Sequence, residues 1–231
     1  MEMTAERWLA TERYIRELFG REEGPLAGLM ARAVAAGLPD IAISPETGRL
    51  LRLLARTTNG GQGARRALEL GTLAGYSAMW IAGGLCPGGR LIALEPNARH
   101  ADFAELAIGQ GGMSERIEVR RERALDAFPR LSSEFGPASF DFILADAIKT
   151  EYSAYFEFAR GHLAPGGVFA AHNALGAGSW WIDHASTPES ELERRAVDRF
   201  NRRIAEDDAF DAVILPTHQG LLVARRLTEP R

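Results

Sequence analysis

Four residues in the second half of the chain carry groups able to move a proton or hold a cation: Asp146, Lys149, His172 and Asn173. Asp146 closes the apolar run Phe142-Ile-Leu-Ala145, and the pair His172-Asn173 closes a second such run 26 residues later. A carboxylate at the end of an apolar strand is poorly solvated and needs a partner. Lys149, three residues on, or a cation can serve; the plain alternative is a surface ion pair of little energetic weight. A carboxylate oxygen, an imidazole nitrogen and an amide oxygen together make a divalent-metal site with positions left open for water and substrate. Alone, His172 reads as readily as a satisfied core histidine. Its place beside Asn173 at a strand end gives it a function.

A second group lies upstream, in Ala67-Leu-Glu-Leu-Gly-Thr-Leu-Ala-Gly-Tyr-Ser77. Leu68 and Leu70 read as a buried strand with Glu69 at its end, and Gly71 and Gly75 bracket a turn. A helix follows over 76–85, and its first N–H groups are free to meet an anion or a ligand. The spacing is not that of a dinucleotide site, because Leu73 stands where G-x-G-x-x-G needs its second glycine. There is no G-K-[ST] phosphate loop either. An acid one position before the strand's last residue, followed by G-x-x-x-G, is typical of S-adenosylmethionine binding; the plain alternative is a strand–turn–helix with no ligand. Glu95 ends Leu91-Ile-Ala-Leu94 and is placed to accept hydrogen bonds from both hydroxyls of a ribose. The alternative for Glu95 is a helix-capping acid.

The elements that must position these groups alternate. Strands are expected at 66–70, 90–94, 116–120, 140–145 and 167–171, with helices at 76–85, 98–110, 124–133 and 151–163. Such alternation with short apolar strands argues a parallel sheet covered on both faces. Its ligands lie beyond the carboxyl ends of the strands, where Glu69, Glu95, Arg123-Ala124, Asp146 and His172-Asn173 all fall. A polar helix over 188–207 follows, then two apolar runs, Phe210–Leu215 and Gly220–Arg225, too close in sequence to pair except as a hairpin. Three helices precede the alternation. One spans 4–20, a second spans 25–36 from Pro25 to Gly37, and a third opens at Ser44-Pro-Glu46 and buries Leu50, Leu51, Leu53 and Leu54.

Composition limits the rest. The chain of 231 residues is long enough for one domain with a full core, and 46% hydrophobic with 25% charged is ordinary for a globular protein. A net charge of −4 argues against a nucleic-acid partner. The lone Cys86 excludes an intrachain disulfide and a cysteine zinc cluster. No apolar run approaches the roughly 18 residues of a membrane span, and no signal core opens the sequence, so a cytoplasmic protein is expected.

Taken together, these stretches resemble the cation-dependent small-molecule O-methyltransferases, the group that includes catechol and caffeoyl-CoA O-methyltransferases and bacterial relatives. The resemblance spans residues 40–227 and rests on an ordered set: Ile43–Leu51, Leu68–Ser77, Phe140–Lys149, Leu163-Ala-Pro-Gly-Gly167 and Gly220–Arg226. It implies an α/β fold, a seven-stranded Rossmann-like methyltransferase sheet, mostly parallel with a C-terminal antiparallel hairpin and helices on both faces. It implies one S-adenosylmethionine-dependent methyltransferase domain over 1–231, with 1–40 as a helical cap or dimerisation segment, and a homodimer. By position, Glu69, Gly71, Thr72, Gly75, Ser77, Glu95, Ala124 and Asp146 match cofactor-binding residues. Asp146, His172 and Asn173 match the ligands of a divalent metal, Mg²⁺ or a transition metal, and Lys149 matches the lysine that takes or stabilises the hydroxyl proton of a small-molecule, aromatic acceptor. The Trp180-Trp181 pair is placed to clamp a planar substrate, with His184 a spare ligand. Asp198, His100, His162 and His218 read as surface residues.

Three departures stand out. The second metal ligand of the family is Asp and here is His172; the position two after the first ligand is Ile148; and Glu122-Arg123, not Gly, precedes Ala124. A neutral His makes the metal site more positive by one charge and shifts preference toward metals that accept imidazole. Alternatively the exchange abolishes metal binding, and His172 is the base of a metal-independent methyltransferase acting on O, N or C. A non-catalytic S-adenosylmethionine-binding protein is the reading from a different class. A nicotinamide dehydrogenase is disfavoured by Leu73 and the terminal hairpin.

Overall fold

The structure, a computed structural model, describes residues 4–176, 187–217 and 219–229. Seven strands form one sheet in the order β3-β2-β1-β4-β5-β7-β6. They are β1 Ala64–Leu70, β2 Leu85–Leu94, β3 Ile117–Arg120, β4 Phe140–Ala145, β5 Leu163–His172, β6 Phe210–Leu215 and β7 Leu221–Arg226. Pairings from β3 across to β5 are parallel, while β7 runs antiparallel to both β5 and β6. The order reverses between β1 and β4, which opens a crevice at their carboxyl ends.

The central strands are apolar on both faces because helices cover both. Alternate residues divide into two cores. Ala67, Ala93, Leu144 and Ala170 face α3 (Pro45–Gly61), α4 (Tyr76–Ala82) and α5 (Ala98–Gln110). Leu68, Leu94, Ile143 and Phe169 face α6 (Ala124–Phe135), α7 (Tyr152–His162) and α8 (Pro188–Ala205). Glu69 shares the first face and is completely buried. At the opposite end of the sheet, Asp141 accepts from the backbone N–H groups of Arg65 and Arg66 at 2.8 and 3.2 Å and fastens β1 to β4.

Several boundaries differ from the sequence expectation. The two Pro-Gly-Gly turns are not turns before strands but bulges inside them. Strand β2 starts at Leu85 and β5 at Leu163, and each register jumps across its Pro-Gly-Gly segment. Helix α4 therefore stops at Ala82 rather than 85. The helix expected over 25–36 is broken: Gly28 adopts φ 64°, so a 3-10 turn at Gly24–Leu26 is followed by a separate α2 at Leu29–Ala35. Ser44 caps α3 as expected, its side chain accepting from Thr47 N–H. Leu53 is exposed, because the buried stripe of α3 runs through Thr47, Gly48, Leu51 and Ala55. Gly48 is required there: a Cβ would overlap the Trp80 indole of α4 at 2.3 Å. Helix α1 (Ala5–Phe19) buries none of its residues.

Candidate functional site

The crevice between β1 and β4 collects most of the residues singled out above. Gly71 leaves β1 with φ 91°, and a side chain there would strike the Asp146 carbonyl at 2.6 Å. The turn continues through Leu73 at φ 52° to Gly75 at φ 78°, which starts α4. Left-handed backbone at a leucine costs energy and persists only when something holds it. Glu95 does so. One of its oxygens accepts from Leu73 N–H at 2.9 Å and the other from Asn97 N–H at 3.0 Å, so the acid at the end of β2 braces the glycine turn. His100, expected on the surface, lies 3.5 Å from Glu95.

Glu69 is the most unusual residue of the crevice. Among the described residues neither of its oxygens has a hydrogen-bond partner, nor has the buried Thr72 hydroxyl. Burial pushes its carboxyl up to about 7; the hydroxyls of Ser77 and Thr72 act the other way, and the charges of Asp146 and Glu95 add to the rise. A fully buried carboxyl that the Ser77 and Thr72 hydroxyls only partly compensate, beside a turn stripped of side chains, is able to receive a polar or cationic group.

At the end of β4, Asp146 sits between two donors. Lys149 Nζ lies 2.9 Å from Oδ1 and His172 Nδ1 lies 3.1 Å from Oδ2. Burial disfavours the charged carboxylate, but the Lys149 ammonium and the His172 hydrogen bond outweigh it and hold Asp146 well below the usual carboxylate range. Burial likewise disfavours the Lys149 ammonium, and Tyr152 and Asp146 more than compensate, so Lys149 is held above the usual lysine range. A lysine kept charged suits the second of its two expected roles, the stabilisation of an anion. An ionised Asp146 can only accept, so this contact calls for a hydrogen on His172 Nδ1 and turns Nε2 away from the carboxylate. Asn173 follows in the left-handed region at φ 59° and gives its amide N–H to Gln219.

The residues expected at the adenine end also converge. Ala124, which starts α6, and Ile148 line a small cavity of about 40 Å³ with Gly71 and Tyr155. Its rim carries the Arg123–Glu151 ion pair at 2.7 Å, and Tyr155 donates to the other Glu151 oxygen at 2.7 Å. A larger groove, about 640 Å³, runs along α3 beside Arg49, Arg52 and Arg56 and contains none of the expected site residues. Trp180, Trp181, His184 and His218 lie outside the described residues. Among the described residues no group of three His, Cys, Asp or Glu side chains forms a metal cluster. No described helix is long and apolar enough to cross a membrane.

Two features escaped the sequence reading. Tyr152, fully buried, accepts from Lys149 Nζ at 2.8 Å and donates to the His172 carbonyl at 2.8 Å. A signal for it was present: Lys149 is the only lysine in the chain, the remaining basic residues all being Arg, and Tyr152 follows it by three positions. The second feature is the pairing of Asn173 with Gln219, which no local pattern foretells.

Comparison with known proteins agrees with this architecture. The profile of a family described as O-methyltransferase matches residues 19–227. A catechol O-methyltransferase of Niastella koreensis is 36% identical over 206 residues, 89% of each chain. A catechol O-methyltransferase of Mycobacterium tuberculosis is 38% identical over 196 residues, 85% of this chain and 83% of that one. Among solved structures, an O-methyltransferase from Bacillus cereus in complex with SAH superposes with a TM-score of 0.83 at 33% identity, covering 96% of this chain and 100% of that one. The O-methyltransferase TomG from Streptomyces achromogenes, in complex with SAM, does so with a TM-score of 0.81 at 30% identity, covering 98% and 100%.

Proposed function

Since the chain belongs to the O-methyltransferase family, we propose that it transfers the methyl group of S-adenosylmethionine to a hydroxyl of a small aromatic acceptor, with His172 as the proton acceptor. The observation that carries the proton role is the 3.1 Å contact between His172 Nδ1 and Asp146 Oδ2. The names of the relatives support a dihydroxyaromatic acceptor, and the SAH and SAM complexes of the structural neighbours support the donor.

The residues present fit the donor. The unpartnered Glu69 carboxyl and Thr72 hydroxyl offer polar contacts, and Gly71 leaves the space a Cβ would fill. Glu95 braces the turn beside it and keeps acceptor capacity for a ribose, and Ala124 with Ile148 walls the adenine end. The bound cofactor supplies a methyl group already activated by its sulfonium. The chain must then deprotonate the acceptor and hold oxygen, carbon and sulfur in line. His172 Nε2 takes the proton, and the imidazolium so formed is stabilised by Asp146 at Nδ1. Lys149, kept charged, attracts the oxyanion with its remaining N–H.

The divalent metal implied by the family resemblance, taken as a hard cation such as Mg²⁺, fits these residues poorly. Magnesium and calcium want several oxygen ligands with negative charge. The only carboxylate in the set is Asp146, whose charge Lys149 already balances at 2.9 Å, and the second donor is a nitrogen. No step of the proposal runs through a metal. The test is turnover of catechol after exhaustive chelation. Activity should survive chelation, while His172→Ala lowers kcat by about 10²-fold, the lower end for a general base. Loss of activity on chelation, restored by Mn²⁺ or Zn²⁺, would overturn the role of His172 as base and return Asp146, His172 and Asn173 to the metal.

A further inference from the structure

We infer that Tyr152 is a positioning residue for methyl transfer, holding the Lys149 ammonium against the acceptor oxygen from a fixed point on the backbone. The inference rests on the reading of Lys149 given above. Tyr152 lies in the first turn of α7, is fully buried, and packs edge-on against Phe200 of α8 with ring centroids 5.5 Å apart. Its hydroxyl has one hydrogen to give, and two strand-end carbonyls face it, that of His172 at the end of β5 at 2.8 Å and that of Ala145 at the end of β4 at 3.3 Å. Its oxygen then faces Lys149 Nζ at 2.8 Å as an acceptor. An ammonium has three hydrogens. Asp146 and Tyr152 take two of them, at 2.9 and 2.8 Å, and the third has no hydrogen-bond partner among the described residues.

The geometry separates two jobs. Asp146 gives Oδ1 to Lys149 and Oδ2 to His172, so one carboxylate oxygen is all it offers the ammonium. A lysine carries four rotatable carbon–carbon bonds, and a single carboxylate oxygen would let its nitrogen swing about that contact. The phenol supplies a second anchor that is rigid, because its own hydrogen is committed to a strand carbonyl. The same bond ties the orientation of Lys149 to the backbone of His172, so the group that takes the proton and the group that steadies the anion share one frame.

A double-mutant cycle tests the link, with kcat and KM for catechol and KM for S-adenosylmethionine measured for wild type, Tyr152→Phe, Lys149→Met and the double variant. Tyr152→Phe should lower kcat by about tenfold, the loss expected for one hydrogen bond to a charged group, with KM for S-adenosylmethionine held within about twofold. In the Lys149→Met background the same change should cost less than about twofold, since coupled residues are not additive. Because the chain has one lysine, lysine-selective ¹⁵N labelling gives a single side-chain ammonium signal. That signal should move and exchange faster in Tyr152→Phe, whether or not an acceptor is present. Equal losses from Tyr152→Phe in both backgrounds, or an unmoved ammonium signal, would overturn the positioning role and leave Tyr152 a packing residue. Wild-type kcat in Lys149→Met would instead refute the reading of Lys149 itself.

Discussion

Replacing Glu69 by Gln should make the cofactor-free protein more stable above neutral pH and leave it little changed in acid. The carboxyl is fully buried without a hydrogen-bond partner among the described residues, and burial raises it from 4.5 to about 7. A raised carboxyl favours the folded state only while protonated. The advantage is complete below the unfolded value of 4.5, is lost as pH rises from 4.5 to about 7, and is gone above it. At about 1.4 kcal/mol for each tenfold change in proton affinity, the window is worth about 3 kcal/mol. Glutamine has nearly the same shape and no charge to strand. Its buried amide carries a cost of its own, but that cost does not vary with pH, so the observable is the slope.

The assay is urea unfolding of wild type and Glu69→Gln at intervals from pH 5 to pH 8.5. The difference in unfolding free energy should grow by about 3 kcal/mol across the series, a shift of roughly 5–10 °C in Tm for a chain of this length. The variant should also bind S-adenosylmethionine more weakly, since the charge that burial disfavours is the one offered to a cationic ligand. A difference that stays constant with pH would refute the assignment of an ionising, unsatisfied Glu69. A variant less stable than wild type at pH 8.5 would mean that the carboxylate has a donor and is held by it.

Two further outcomes follow from the same geometry. His172→Asp should give an enzyme inactive after chelation and revived by Mg²⁺, because it adds the second carboxylate that a hard dication needs; catechol turnover with and without EDTA reads this directly. On α1, Trp8, Ile15, Leu18 and Phe19 are all more than a third exposed on one arc of the helix, and pairing with a second copy of the chain would cover them. Sedimentation should then show a dimer for wild type and a monomer for Trp8→Glu with Phe19→Glu, with both species retaining the helical circular-dichroism signal.

The strands were legible because their signal is local. Each central strand carries an apolar run bounded by Gly, Pro or a charge, although β2 and β5 start at Leu85 and Leu163, ahead of those runs. The adjacency of Asp146 and His172 was legible for the same reason: both end strands, and the strands had to be neighbours. What needed the third dimension was the pairing of groups. Glu69 looks like any acid near a turn until its burial proves complete. Tyr152 reads as an apolar position of α7, and only the fold brings its hydroxyl between Lys149 and the end of β5. Leu53 sits in a leucine-rich helix but on the side away from the sheet. The break at Gly28 and the two Pro-Gly-Gly bulges went unread because a glycine signals freedom without saying how the chain uses it.

The charges around the crevice connect the replacement of Asp by His with the rest of the site. Methyl transfer from a sulfonium to a deprotonated hydroxyl consumes one positive and one negative charge together, and such a step gains from surroundings that exclude water. Forming the oxyanion is the harder part, because a phenol with a pKa of about 10 must lose its proton in a pocket already holding Glu69, Glu95 and Asp146. A second carboxylate at position 172 would add to that repulsion and make an external cation necessary. A neutral imidazole adds none, and Lys149, held charged by Asp146 and Tyr152, supplies the one positive charge that the oxyanion needs. In the proposed reaction the imidazolium formed at His172 would lie 3.1 Å from Asp146, so the charge created by deprotonation would appear where a carboxylate already stands. On the proposed reading the lysine and the histidine would divide between them what a metal ion could do alone: one gathers the anion and the other removes its proton.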